Sequence, residues 1–394
     1  MICVGNQAPF HADDSLELRP VVTERPDIAV VLARFGTGGV ERVACILANG
    51  LRDRGFSTEV VVADPAGPAR SLLHPEVPVR ALGGDEQRSR AANLYRAIPE
   101  MVRYLRRSRP HLLLSPGNHT HIAAGLAHAL AGRSEVSLVL KITNPIPKAS
   151  LGPVRRFLSR HFYAWLLRRA RLILVLSPGG IHYVESLGGQ KAASKACFVH
   201  NPYILSAEPS MPRPAAGEPP LLLTVGRLHR QKNYGLLLDA LSRLRSTPWR
   251  LAMVGEGPEA AMLKEKAQKL GLEARVDFKG YVPDPRPLYA AAKCLIISSR
   301  WEGLPAVALE AMGSGCPVVS TDCSPALSDI IKTSNFGKVV PPEPSELAAA
   351  IDEMLRRPAA GTIPEAIQRY SVHNGIDEHL KVLEPLLGSG RNGH

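Results

Sequence analysis

Few folds are open to residues 294–320. Cys294 to Ile297 is a short apolar run of the kind that ends a buried parallel strand. A loop with Gly303 and Pro305 follows, then an alanine-rich helix from about Ala306 to Met312. Gly313 and Gly315 stop that helix, and Pro317-Val-Val starts the next strand. This is one strand–helix–strand unit with a glycine turn at its mouth. The loop Gly303-Leu304-Pro305 opens the helix, and the free backbone N–H groups of a helix start favour an anion. Two carboxylates flank it, Glu302 in the loop and Glu310 on the helix. Carboxylates only accept hydrogen bonds, so they suit a ligand rich in hydroxyls. Donors for phosphate beside acceptors for sugar hydroxyls describe a site for a nucleotide sugar.

The rest of the chain repeats the same alternation. Strands are expected near 28–33, 58–64, 79–82, 111–115, 136–142, 172–176 and 197–200. Helices are expected through about Arg54 and near 89–108, 121–131, 153–170 and 179–187. Such alternation predicts doubly wound parallel sheets, with ligands off the carboxyl ends of the strands. With 394 residues there is enough chain for two domains. The proline-rich stretch 204–220 is the clearest linker. The expected organisation is a mobile leader (1–26), an N-terminal domain (27–203), the linker (204–220) and a C-terminal domain (221–363). A terminal helix (364–387) and a disordered tail (388–394) complete it.

Other glycine turns point to the same edges. Gly36, Gly38 and Gly39 follow the first strand without the dinucleotide spacing Gly-x-Gly-x-x-Gly. Gly226-Arg-Leu-His-Arg-Gln-Lys-Asn233 follows the strand that opens the second domain. Arg227 can grip a phosphate as a fork and Lys232 as a point charge. Gly255 sits in a turn that allows close backbone approach. Asn118, His119 and His121 stand at a strand mouth, but two histidines are too few ligands for a metal site. Lys141 and Asn144 lie at the next strand end, facing the same cleft by position alone.

Ser-Arg-Trp-Glu302-Gly-Leu-Pro with Glu310 eight positions later resembles the Glu-x7-Glu signature of retaining glycosyltransferases of family 4. Gly226-Arg-Leu-x-x-x-Lys232 and Gly38-Gly-Val-Glu-Arg42 are similar to other segments of that family. The resemblance covers about residues 27–385. It implies a GT-B architecture, two Rossmann-like domains facing across a cleft, with the donor bound mainly by the second domain. It implies that Glu302 holds hydroxyls of the donor sugar and Glu310 the ribose. Gly38 and Gly39 would approach the diphosphate from the first domain, and backbone near Tyr281 and Val282 would hold the base. A polar residue after the fourth strand would lie near the reacting sugar: His119, with Asn118 as the alternative. The implied reaction moves a sugar from a UDP- or GDP-sugar to an acceptor hydroxyl with retention. Arg227 and Lys232 would neutralise the leaving diphosphate. No Asp-x-Asp pair is present to hold a metal there, so neither a metal nor a further cofactor is expected. Two other readings stand beside this one: a nucleotide-sugar epimerase of the same architecture, and a non-catalytic nucleotide-sugar-binding protein.

Charge narrows the partners. Residues 1–200 hold 26 Lys and Arg against 15 Asp and Glu, whereas the remainder holds 22 against 21. A basic half suits an anionic partner. Few aromatics and no nucleic-acid-binding motif set nucleic acid aside. An anionic membrane surface and a lipid-linked or cell-envelope saccharide fit better. The segment 153–170 combines arginines with Phe157, Phe162, Tyr163 and Trp165. It reads either as a core helix with a basic face or as a membrane-surface helix. No run of eighteen apolar residues is present, and the first residues do not read as a signal peptide. Six scattered cysteines read as buried reduced thiols. A cytoplasmic protein is expected, peripheral at the inner face of the membrane.

Overall fold

A computed structural model of the chain describes residues 25–36, 38–133, 135–143, 152–204, 218–244, 248–357, 363 and 365–387. Most of the expected leader and linker, all of the tail, and Asn144 lie outside the described residues.

Among the described residues, thirteen strands form two parallel sheets. The first contains β1 (Ile28–Arg34), β2 (Thr58–Asp64), β3 (Val79–Ala81), β4 (Leu112–Ser115), β5 (Ser137–Ile142), β6 (Leu172–Val175) and β7 (Ala196–Phe198). Its order is β3-β2-β1-β4-β5-β6-β7. The second contains β8 (Leu221–Val225), β9 (Arg250–Val254), β10 (Val276–Gly280), β11 (Cys294–Ile297), β12 (Val318–Thr321) and β13 (Gly337–Val340). Its order is β10-β9-β8-β11-β12-β13. Ile28 pairs in register with Thr58 on one side and Leu112 on the other, so β1 lies inside the sheet. Strands such as Ile-Ala-Val-Val-Leu-Ala are apolar at every position because helices cover both faces of the sheet. Winding reverses between β1 and β4 in one sheet and between β8 and β11 in the other. A crevice opens at the carboxyl ends of the strands at such a reversal.

Two expected helices are broken. The 89–108 segment forms Arg90–Arg96 and Ile98–Ser108, with Pro99 in the first turn of the second, where its missing N–H costs nothing. The terminal segment forms Glu365–Gln368 and Val372–Leu383. Ser371 divides them because its side chain caps the second helix, accepting from Asn374 N at 3.2 Å.

The helix Val372–Leu383 follows the second sheet in sequence but packs on the first domain. Ile376, Leu380 and Leu383 share one buried core with Ile46 and Leu47 of the helix Gly39–Asp53, and with Ala308 and Met312 beyond β11. Polar ties reinforce the seam. Tyr203 N donates to Tyr370 O at 2.9 Å, His200 N to Glu378 Oε2 at 2.9 Å, and Arg54 Nε to Asp377 Oδ1 at 2.8 Å. Gly50 marks the closest approach, since a Cβ there would lie 1.7 Å from Ile376 Cδ1. Gly50→Val is therefore expected to destabilise the chain by about 1–3 kcal/mol through overpacking. Ile376→Ala in the same chain should recover part of that loss. Melting curves of the two single variants and the double variant check this, and purely additive losses would refute the contact.

Candidate active site at the facing sheet edges

The second-domain half is built at the β8/β11 reversal. Gly226 and Gly255 follow β8 and β9 with φ of +154° and +131°, which only glycine adopts readily. A Cβ on Gly255 would lie 2.0 Å from Gly226 O, so the close approach predicted for Gly255 is to the neighbouring loop. This packing fixes the loop that carries Arg227 and Lys232. Arg227 is exposed. Lys232 Nζ donates to Glu302 Oε1 at 2.7 Å, and Ser299 Oγ donates to the same oxygen at 2.7 Å. Ser298 Oγ donates to Lys232 O at 2.8 Å, and Arg300 N donates to Gln231 O at 2.8 Å. The loops after β8 and β11 thus form one braced unit, with the Lys232 and Glu302 side chains only 20% and 11% exposed.

Gly303, Leu304 and Pro305 lead into the helix Ala306–Gly313, whose start has no side-chain cap. Ser324 Oγ binds Gly303 O and holds the loop. Glu310 accepts from Tyr289 Oη at 3.1 Å and lies 3.7 Å from Arg42 Nε of the first domain. Burial raises the Glu310 carboxyl above its usual range, while Arg42 and Tyr289 oppose the shift. Tyr281 and Val282 follow β10 at the same edge, Tyr281 exposed and Val282 half-buried against the core.

The first-domain half sits at the β1/β4 reversal. Gly38 precedes the helix Gly39–Asp53, and a Cβ on it would collide with the Glu41 carboxylate at 2.3 Å, whereas Gly39 faces open space. Glu41 is buried, with Arg90 Nη1 3.0 Å and His119 Nε2 3.7 Å from its Oε1. His119 Nε2 is itself buried without a hydrogen-bond partner. Burial lowers the His119 imidazole below its ordinary value; Glu41 opposes this and Arg90 adds to it.

His119 and Asn118 occupy the first turn of the helix Asn118–Ala131, not a loop. Asn118 Oδ1 accepts from Thr143 N at 3.0 Å, tying the end of β4 to the end of β5. Of the two alternatives, His119 is the one beside the Glu41 carboxylate. His121 is wholly buried, 2.7 Å from Ser115 Oγ, and burial lowers its imidazole to about 3. Among the described residues no group of three or more His, Cys, Asp or Glu is arranged to hold a metal ion. The placement of Lys141 in the cleft is corrected. Its side chain is completely buried, with Nζ 2.9 Å from His379 Nε2 on the crossing helix.

The sequence marked Glu41 and Arg42 only as part of the Gly38–Arg42 segment, without a role for either, and passed over Arg90, Tyr289 and Ser299. Glu41 and Arg42 had a signal, since charged residues directly after a glycine loop open the helix there. Arg90 and Tyr289 are brought in by tertiary packing and leave none.

The edges of two facing parallel sheets define the class. The structure of Anabaena HepE in complex with UDP and glucose superposes with a TM-score of 0.74 at 21% identity, over 91% of this chain and 99% of HepE. The fold is GT-B. Family models match each half: Glycosyl transferase 4-like domain over residues 38–202 and Glycosyl transferases group 1 over residues 209–371. The chain is of the GT-B glycosyltransferase type. One relative is the Campylobacter jejuni GalNAc-alpha-(1->4)-GalNAc-alpha-(1->3)-diNAcBac-PP-undecaprenol alpha-1,4-N-acetyl-D-galactosaminyltransferase. It is 25% identical over 371 residues, 90% of this chain and 98% of the relative. Another, the amylovoran biosynthesis glycosyltransferase AmsD of Erwinia amylovora, is 36% identical over 129 residues. That match spans 33% of this chain and 36% of AmsD.

Proposed function

We propose that the chain is a retaining glycosyltransferase of family 4. It moves a sugar from a UDP- or GDP-sugar to a hydroxyl of a lipid-linked or cell-envelope saccharide. The observation that carries this reading is the meeting of Lys232, Glu302 and the uncapped start of the helix Ala306–Gly313 at one sheet edge. A helix start and a cation suit a diphosphate, and an adjacent braced carboxylate suits sugar hydroxyls.

Lys232 has three donors and gives one to Glu302, so the others serve phosphate oxygens beside Arg227. Both contacts to Glu302 fall on Oε1, and Oε2 is assigned to the donor sugar. Glu310, on the same helix, is assigned to the ribose, and backbone at Tyr281 and Val282 to the base. Gly38 and Gly39 would let the first domain approach the diphosphate. As negative charge gathers on the leaving diphosphate, Arg227, Lys232 and the helix N–H groups stabilise it. His119 is assigned to the acceptor side, near the reacting sugar. The Campylobacter relative is named for a lipid-linked acceptor, which supports that class here. The HepE complex with UDP and glucose supports a nucleotide-sugar donor. Work on such an acceptor would take place at the inner face of the cytoplasmic membrane.

Thermal melting against a panel of UDP- and GDP-sugars, with and without EDTA, tests the donor site. One donor should raise the melting temperature of the wild type, EDTA should not remove the shift, and Arg227→Ala should weaken it. A well-folded wild type that answers to no nucleotide or nucleotide sugar would refute the proposal. The anomeric configuration of the product, read by NMR, decides retention.

A further inference from the structure

We infer that the first two turns of the helix Pro153–Arg169 form a docking surface for an anionic phospholipid bilayer. Val154, Phe157 and Leu158 are 70%, 62% and 61% exposed. Spacings of three and four put them on one side of the helix, so they make a patch. Of the ten exposed large hydrophobic side chains among the described residues, four lie on this helix, the fourth being Trp165 two turns on. Its later residues explain how the patch is held out. Tyr163, Leu166 and Leu167 are buried in the core of the first domain and anchor the helix. The described core therefore leaves these apolar side chains unused, and a clustered patch of this kind marks an interaction surface.

Charge commits the occupant. The helix carries arginines and no acidic residue, and Arg156 and Arg160 are exposed on the same turns of the helix as the patch. Residues 101–200 hold 15 Lys and Arg against only two acidic residues, Glu135 and Glu185. Apolar tips with arginines around them match the acyl and headgroup layers of an anionic leaflet. Among the described residues no helix is long and apolar enough to cross a membrane, so association would be at the surface.

The topology places this patch usefully. β5 and β6 are parallel, so the helix between them starts at the carboxyl edge of the sheet, the edge that also carries His119. A bilayer held there lies beside the cleft mouth, where a lipid-linked acceptor would present its sugar. That benefit rests on the proposed acceptor; the docking itself does not.

The full chain should be sedimented with vesicles of phosphatidylcholine alone and of equimolar phosphatidylcholine and phosphatidylglycerol. The wild type is expected to bind the mixed vesicles and to be released by salt. Phe157→Ser with Leu158→Ser should weaken that binding roughly tenfold or more through lost apolar insertion. Arg156→Glu should weaken it by a smaller factor and flatten its salt dependence. All these positions are exposed, so melting temperatures should not move. Equal binding by wild type and variants, or no wild-type binding to the mixed vesicles, overturns the inference. So does wild-type self-association in sedimentation velocity that the serine variant abolishes, because the face would then belong to a second copy.

Discussion

Glu302→Ala is expected to lower kcat for sugar transfer by about 10²- to 10³-fold or more while leaving the fold intact. The carboxylate is braced before any donor arrives, by Lys232 and Ser299 on one oxygen and by its own N–H donating to Cys323 O at 2.8 Å. Ordering it costs nothing at the moment of reaction, which is what makes a preorganised group effective. Its loss removes the proposed sugar acceptor and frees Lys232 to wander from the position that meets the diphosphate. Stability should fall by about 1–3 kcal/mol, because Lys232, itself only 20% exposed, is left without its partner, so activity is compared where both chains are folded. Lys232→Ala should also be severe, and the double variant should cost less than the two losses combined, since each side chain positions the other. Steady-state kinetics beside melting curves give both readouts. Turnover of Glu302→Ala near that of the wild type would remove Glu302 from the chemistry.

The features legible in the sequence were those fixed by short stretches of chain. A strand buried on both faces must be apolar throughout, so Ile28–Ala33 and Cys294–Ile297 announced themselves. A turn that needs positive φ must carry glycine, which marked Gly226 and Gly255. The Lys232–Glu302 meeting was within reach because each ends up beside the strand that precedes it, and β8 and β11 are neighbours. What the sequence hid depends on distant elements meeting. Nothing near Arg90 says that it will reach Glu41, and nothing near Tyr289 says that it will donate to Glu310. Lys141 shows the limit most plainly. A lysine at a strand end reads as a group for the cleft, but the crossing helix covers it, and that helix lies more than two hundred residues away in sequence.

That burial has a measurable consequence. Burial lowers the Lys141 ammonium from an ordinary 10.5 to about 7. His379 Nδ1 donates to Gly375 O at 2.6 Å, so Nε2 presents a lone pair to Lys141, and burial likewise holds that imidazole well below its ordinary value. Below pH 7 the amine is charged in both folded and unfolded chains, and the folded state bears the full cost of burying it. Between pH 7 and 10.5 the folded chain has released a proton that the unfolded chain keeps, so this pair's contribution to stability rises with pH. Above 10.5 both states are neutral and the rise ends. Cys45 and Cys294, whose thiols burial pushes up to about 12, pull the other way above pH 9. The difference between wild type and variant at each pH therefore isolates the Lys141–His379 pair, with His379 contributing near pH 6–7 and Lys141 above that. Lys141→Met with His379→Leu replaces both partners by apolar groups and strands neither. The double variant is expected to be more stable than the wild type by roughly a few kcal/mol at pH 6, with the gap closing as pH approaches 10. Lys141→Met alone should gain less, because His379 Nε2 is then buried without a donor. Urea unfolding from pH 6 to 10 reads this directly. A gap that stays constant across that range would mean that Lys141 keeps an ordinary pKa, and that the seam between the crossing helix and the first sheet admits water.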